Sequence, residues 1–159
     1  MPKQSAGLIL YRQTPRGLEV LLVHLGGPFF AKKDQGAWSI PKGEFTPPEQ
    51  PIEAAIREFT EETGLTPTGP FHALGSIQQA GGKTVTAFAC RGDCDPTTLT
   101  SNLARIEWPP RSGRHIEFPE IDRAQWFPIP EASTYINPAQ APLLQSLAKI
   151  LANEGTPTP

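Results

Sequence analysis

Two apolar runs, residues 5–12 and 18–25, flank the polar stretch Thr14-Pro15-Arg16-Gly17 and predict a pair of strands joined by a turn. A long loop follows, through Gly26-Gly27-Pro28 and Lys32-Lys33-Asp34-Gln35-Gly36. Trp38-Ser39-Ile40 then predicts a short strand leading into Pro41-Lys42-Gly43-Glu44. From Ile52 the period changes. Ile52, Ala55, Ile56 and Phe59 recur at steps of three and four, which marks one buried helix face. Pro51 suits the first turn of that helix, because its fixed φ is helical and its missing N–H has no intrahelical partner there. Gly64 supplies the stop. Residues 71–80 and 84–91 predict a hairpin around Gly81-Gly82, residues 103–108 a further strand and residues 124–127 a last short one. Ala139, Pro142, Leu143, Leu144, Leu147, Ile150 and Leu151 fall at helical steps, so residues 138–152 predict a C-terminal amphipathic helix. Strands mixed with about two helices argue for an α/β (α+β) fold, a three-layer α/β/α sandwich around a mixed central sheet. Without an internal repeat or a linker, residues 1–152 are expected to form one domain, with 153–159 a flexible tail.

Composition narrows the partners. A chain of 159 residues buries a proper core without staples and is short for two domains. Its formal net charge of −2 gives no reason to expect a nucleic-acid polymer or an anionic membrane as partner. No apolar run approaches bilayer length, and Met1-Pro2-Lys3-Gln4 does not read as a secretory signal, so a cytoplasmic location is expected. Cys90 and Cys94 have no second cysteine or histidine cluster to complete a zinc site. Both are read as reduced thiols, Cys90 as a small core hydrophobe. The 19 prolines lie mostly in connecting segments and point to stiff loops.

The chemistry gathers on the first helix. Glu58, Glu61 and Glu62 stand at i, i+3 and i+4, so they share a face and are expected to converge. Their mutual repulsion costs a few tenths of a kcal/mol per pair, about what opposite charges gain. They also sit late in the helix, where the negative end of the dipole disfavours them. A compensating cation accounts for such a cluster, and hard carboxylate oxygens suit Mg²⁺ or Mn²⁺.

Gly43, five residues, Glu49, seven residues, and then Arg57-Glu58-Phe59-Thr60-Glu61-Glu62-Thr63-Gly64-Leu65 fill every specified position of the Nudix box. The chain therefore resembles the Nudix hydrolase superfamily. The resemblance is specific over residues 38–65 and diffuse elsewhere. It implies an α/β/α sandwich with a mixed sheet, and hydrolysis of a nucleoside diphosphate linked to a further group, with water activated by bound Mg²⁺. By position, Glu58, Glu61 and Glu62 match the metal-binding glutamates, and Glu58 is the commonest base within the box. Glu49 and Arg57 match the pair that orients loop and helix, which implies a structural salt bridge. The backbone carbonyl of Lys42 matches a further metal-ligand position, where many relatives carry glycine. A fourth carboxylate in several relatives precedes a tryptophan by six residues. Counted from Trp126, that offset falls on Glu120, preferred over Glu117 and over a plain surface acid.

Gly36-Ala37-Trp38-Ser39-Ile40-Pro41-Lys42-Gly43-Glu44 is similar to the lead-in of diadenosine tetraphosphate hydrolases and diphosphoinositol phosphohydrolases. That implies a phosphate contact for Lys42, set against a stem packed on Trp38. Lys32, Lys33, Lys83, Arg111 and Arg114, each read alone as a solvent-facing side chain, together point to a substrate with more than two phosphates. Trp38, Phe29, Phe30, Phe71 and Trp108 offer faces for a base or belong to the core. His24 and His72 are read as structural. Three functions follow: a pyrophosphohydrolase of dinucleoside polyphosphates or related nucleotides, a sanitiser of modified nucleoside triphosphates, and a non-hydrolytic nucleotide sensor. The expected partner is a small nucleotide or polyphosphate. Monomer and homodimer both stay open, since the C-terminal apolar stripe packs on its own sheet or on a neighbour.

Overall fold

A computed structural model describes residues 3–154. Its first hairpin, β1 (Gln4–Thr14) and β2 (Gly17–Leu25), is paired only near the turn, from Tyr11↔Val20 to Thr14↔Gly17. Beyond that the two strands part. The gap is filled by β3 (Trp38–Ser39), which pairs with β2 at Val23 and His24, and by β4 (Lys42–Glu44), which pairs with β1 at Ser5–Gly7. The segment carrying Lys42 and Gly43 is thus wedged into the centre of the sheet.

Helix α1 (Pro51–Thr63) follows with proline in its first turn, and the Gln50 N–H donates to Glu53 Oε1 at 2.9 Å. Gly64 closes the helix at φ 78°, a left-handed value that glycine adopts without strain, and its N–H bonds the Thr60 carbonyl. β5 (His72–Gln79) and β6 (Lys83–Arg91) form the expected hairpin, and β6 runs parallel to β1 over its whole length. Next come β7 (Leu103–Glu107) and β8 (His115–Pro119), a separate antiparallel pair, and β9 (Ile121–Pro128), which joins the far edge of β2. Helices α2 (Ile129–Tyr135) and α3 (Ala141–Glu154) complete the chain. Among the described residues, seven strands make one mixed sheet.

The two faces of that sheet are covered separately, because successive β1 side chains point to opposite sides. Leu8 and Leu10 join Phe59, Ala54 and Ala55 of α1. Ile9 and Tyr11 face the other way, against Leu143, Leu144 and Leu147 of α3 and Ile136 after α2. The expected three-layer α/β/α arrangement is what this produces, and the C-terminal apolar stripe packs on its own sheet. Among the described residues, no helix is long and apolar enough to cross a membrane.

The structure departs from the expected elements in the C-terminal half. β8 and α2 were not expected, and β9 begins at Ile121, earlier than residue 124. β8 is a five-residue strand stabilised by its partner β7, and α2 is too short for a helical period to register. Residues 138–140 form a 3₁₀ turn before α3 begins at Ala141. α3 runs on through Glu154, past the expected start of the tail, and residues 155–159 lie outside the described residues.

One buried amide ties the C-terminal layer to the central segment. Gln140 accepts from the Ile40 N–H at 3.0 Å and donates to Ser39 Oγ at 3.0 Å. Gln140→Leu leaves the Ile40 N–H without an acceptor in the interior, so urea denaturation is expected to show a loss of about 1–3 kcal/mol. An unchanged midpoint would show that the amide holds nothing in place.

Candidate functional site

The carboxylates on α1 face β4, and the fit is close. A Cβ placed on Gly43 would overlap the Glu58 carboxylate, so glycine is what lets the helix approach the central segment. Arg57 organises the surroundings. Its Nε and Nη2 hold both oxygens of Glu49 at 2.8 and 2.9 Å, and its Nη1 donates to Glu58 at 2.8 Å and to Glu61 at 3.4 Å. The paired Glu49 carboxyl sits below its ordinary value, chiefly through that hydrogen bond. The Arg57 guanidinium is held well above its own value, first by Glu49.

Glu58, Glu61 and Glu62 share the helix edge, as their spacing requires, but they do not close on one another. Among the described residues, no three acidic, histidine or cysteine side chains form a ready metal-ligand group. Glu58 and Glu61 are turned onto Arg57 instead. Glu62 is different. It is only 5% exposed, and its Oε2 is buried with no hydrogen-bond partner. Burial pushes its carboxyl up to about 9, and the charges of Glu58 and Glu120 add to the effect. Lys42 offsets this only in part, through its backbone N–H and its ammonium charge. Glu58 is raised as well, first by burial. The Lys42 ammonium is itself lowered, by burial and then by Lys83.

Glu120 lies between β8 and β9, far from α1 in sequence, yet it belongs to the same electrostatic cluster. Burial raises its carboxyl first, then Glu58 and Glu61. Its backbone is fixed on both sides: the Gly26 N–H bonds the Glu120 carbonyl at 2.8 Å, and the Glu120 N–H bonds the Asn102 carbonyl at 3.0 Å. The Asn102 N–H in turn bonds the Glu61 carbonyl at 3.3 Å, which ties this loop to the end of α1. Glu117, the competing acid, is exposed on β8 opposite Arg105.

Other predicted residues scatter. Trp38 is 2% exposed, its indole N–H donates to Asp34 at 2.9 Å, and its ring meets Phe127 edge-on at 5.0 Å. Little of its face is open for a base. Phe71 packs against the cluster under α1. Lys33 is exposed, with its ammonium 4.0 Å above the Phe29 ring. Phe29, 60% exposed, and Phe30 line a cavity of about 330 Å³ with Phe118, Ile106, Glu62 and Glu120. Arg111 and Arg114 stand at the tip of the β7–β8 hairpin, the end away from Glu120. Four residue steps along that ladder are roughly 14 Å. Two partners carry no local signal in the chain: Asp122, bonded to the buried His24 at 2.8 Å, and Gln140 behind β3.

Electrostatically the site is a pocket of carboxylates short of positive charge, with one buried oxygen left over. Hard oxygen donors and an orphaned carboxylate oxygen fit a divalent cation such as Mg²⁺ or Mn²⁺.

Comparison with known proteins identifies the family and the fold. The family described as NUDIX domain matches residues 1–147. An RNA pyrophosphohydrolase of Brucella anthropi is 31% identical over 116 residues, 64% of this chain and 62% of that protein. An asymmetrical bis(5'-nucleosyl)-tetraphosphatase of Caenorhabditis elegans is 36% identical over 66 residues, 42% of this chain and 44% of that protein. The chain thus spans less than two thirds of the length of either relative. Among solved structures, a C. elegans Ap4A hydrolase binary complex superposes with a TM-score of 0.63 at 22% identity, covering 95% of this chain and 98% of that one. The NUDIX domain of Shewanella oneidensis NrtR, complexed with ADP ribose, gives 0.64 at 15%, covering 95% and 89%.

The raised Glu62 carboxyl carries a stability consequence. A group with a raised folded-state value holds its proton more tightly folded than unfolded. Its opposition to folding is absent in acid and grows as pH climbs from about 4.5 to about 9. Without divalent ions, thermal melting is expected to fall between about pH 5 and pH 8, less steeply in Glu62→Gln. Mg²⁺ at pH 8 restores the wild type and leaves Glu62→Gln unmoved. Melting curves with the same pH slope in both proteins would contradict this.

Proposed function

Because this chain belongs to the NUDIX domain family, we propose that it is a hydrolase that cleaves a phosphoanhydride bond in a nucleoside diphosphate-linked compound, with a dinucleoside polyphosphate such as diadenosine tetraphosphate as the leading substrate. One observation carries the proposal: a buried carboxylate, Glu62, with an unpartnered oxygen, under the charges of Glu58 and Glu120 and lining, with Glu120, a cavity of about 330 Å³. Hydrolases of this family generally use divalent ions such as Mg²⁺. Here Glu58, Glu61, Glu62 and Glu120, together with the backbone carbonyl of Lys42, would hold them. Such ions, when bound, neutralise charge on phosphate oxygens and lower the pKa of a bound water.

The chain's own groups supply the rest. A carboxylate, Glu58 or Glu120, takes the proton from the attacking water, and a raised carboxyl value brings it nearer to the pH at which a base works best. Arg57 holds Glu58 in position and is itself held by Glu49. The Lys42 ammonium, crowded by Lys83 at the tip of the β5–β6 hairpin, gains from an anionic partner, which suits a phosphate beyond the bond that breaks. The cavity walled by Phe29, Phe30 and Phe118 suits the flat apolar face of a base. Lys33 at its mouth adds a cation for the phosphate chain. Arg111 and Arg114, at the far hairpin tip, serve a substrate long enough to reach them.

Two relatives named for different substrates define the panel: diadenosine tetraphosphate and 5′-triphosphorylated RNA, with an oxidised nucleoside triphosphate beside them. Steady-state assays with Mg²⁺ and with Mn²⁺, and identification of products, are expected to show cleavage of diadenosine tetraphosphate. In Glu62→Gln kcat is expected to fall by at least about 100-fold, while circular dichroism stays native. Preferred attack on the oxidised triphosphate or on RNA would reassign the substrate. Tight nucleotide binding without turnover under either ion would replace the hydrolase by a sensor.

A further inference from the structure

His24 is completely buried at the end of β2, and both of its ring nitrogens are engaged. Nδ1 lies 2.8 Å from Asp122 Oδ1, and Nε2 lies 2.6 Å from the backbone carbonyl of Lys33. The ring is clamped edge-on against Trp38, at 5.3 Å between centroids. Its two partners come from different loops. Lys33 belongs to residues 26–37, which carry Phe29 and Phe30 to the apolar cavity. Asp122 lies two residues after Glu120.

The pairing of β2 with β9 explains why Asp122 is reached. His24 pairs with Arg123 and Leu25 with Ile121, so Asp122 is the extra residue of a bulge. A bulge bends its strand and re-aims the neighbouring side chains. Here the bulge turns Asp122 toward His24 and sets the direction in which the chain arrives from Glu120. The His24 contact fixes that bend, and the Gly26 N–H to Glu120 carbonyl bond continues the attachment.

We infer that His24 is a positioning residue that braces the two loops flanking the site, registering Glu120 through Asp122 and the Phe29–Phe30 wall through Lys33. This rests on the hydrolase reading for its kinetic consequences and on geometry alone for its structural ones. The two arms of the brace are separable. An asparagine amide reaches about as far as Nδ1, and a glutamine amide about as far as Nε2. His24→Asn therefore keeps the Asp122 arm and frees residues 26–37, whereas His24→Gln keeps the Lys33 arm and frees the bulge.

The test measures both variants and His24→Leu in the full-length protein, with diadenosine tetraphosphate and Mg²⁺ for kinetics and hydrogen exchange for structure. His24→Asn is expected to raise KM several-fold with kcat within about twofold, and to speed exchange only in residues 26–37. His24→Gln is expected to lower kcat about tenfold with KM little changed, and to speed exchange only around residues 120–124. His24→Leu combines both effects. Equal losses in Asn and Gln variants, scaling with melting temperature, would reduce His24 to a core residue and overturn the inference. If the wild type turns over no substrate, the hydrolase reading fails, and the exchange pattern still decides the brace: segment-specific release supports it and uniform release refutes it.

Discussion

The arrangement depends on a carboxylate in the wrong place. Glu62 stands at the inner edge of α1, where the helix presses on the central segment, and the fold leaves one of its oxygens buried and unpaired. Burying an unpaired polar group costs about 1–3 kcal/mol by mutational measures, and more if it is charged. Nearby positive charge does not balance it: Arg57 is divided among Glu49, Glu58 and Glu61, and Lys42 offsets the burial only in part. A protein selected only for stability would place an apolar side chain there. A doubly charged cation would complete the cluster, and the proposed reaction rests on that completion.

Around that carboxylate, β4 is held within the sheet, whereas the aromatic wall of the cavity is carried on a loop. The parting of β1 and β2 admits β3 and β4 to the middle of the sheet, so Lys42 and Gly43 meet α1 with sheet hydrogen bonds behind them. Gln140 secures the same segment from the opposite layer. Glu120, Phe29 and Phe30 instead arrive on loops, tied to strands by a few hydrogen bonds.

Much of this was legible in the residues. The period of α1, with its proline start and glycine stop, predicts a helix edge lined with acids, the family resemblance implies the Glu49–Arg57 ion pair beside it, and the structure has both. Glu120 is likewise implied by the resemblance, through the offset to Trp126, and it lies in the same electrostatic cluster. What did not follow were relations between distant segments. Nothing local to His24 names Asp122, because the bulge that joins them is a property of β2–β9 pairing. Trp38 looks like a base-stacking residue by type, yet its position in the sheet buries it, and the open aromatic faces belong to the preceding loop. The expected convergence of Glu58, Glu61 and Glu62 fails for a related reason. Spacing sets the helix face, but Arg57 captures two of the three carboxylates.

The most direct test is calorimetric titration of the full-length protein with Mg²⁺ or Mn²⁺ near neutral pH, in buffers of different ionisation enthalpy, so that protons released on binding are counted. A carboxyl held up near 9 by burial must give up its proton to a metal, so close to one proton should be released per protein molecule as the site fills, and this release should vanish in Glu62→Gln. Cation binding without proton release, or with the same release in wild type and variant, would contradict the account.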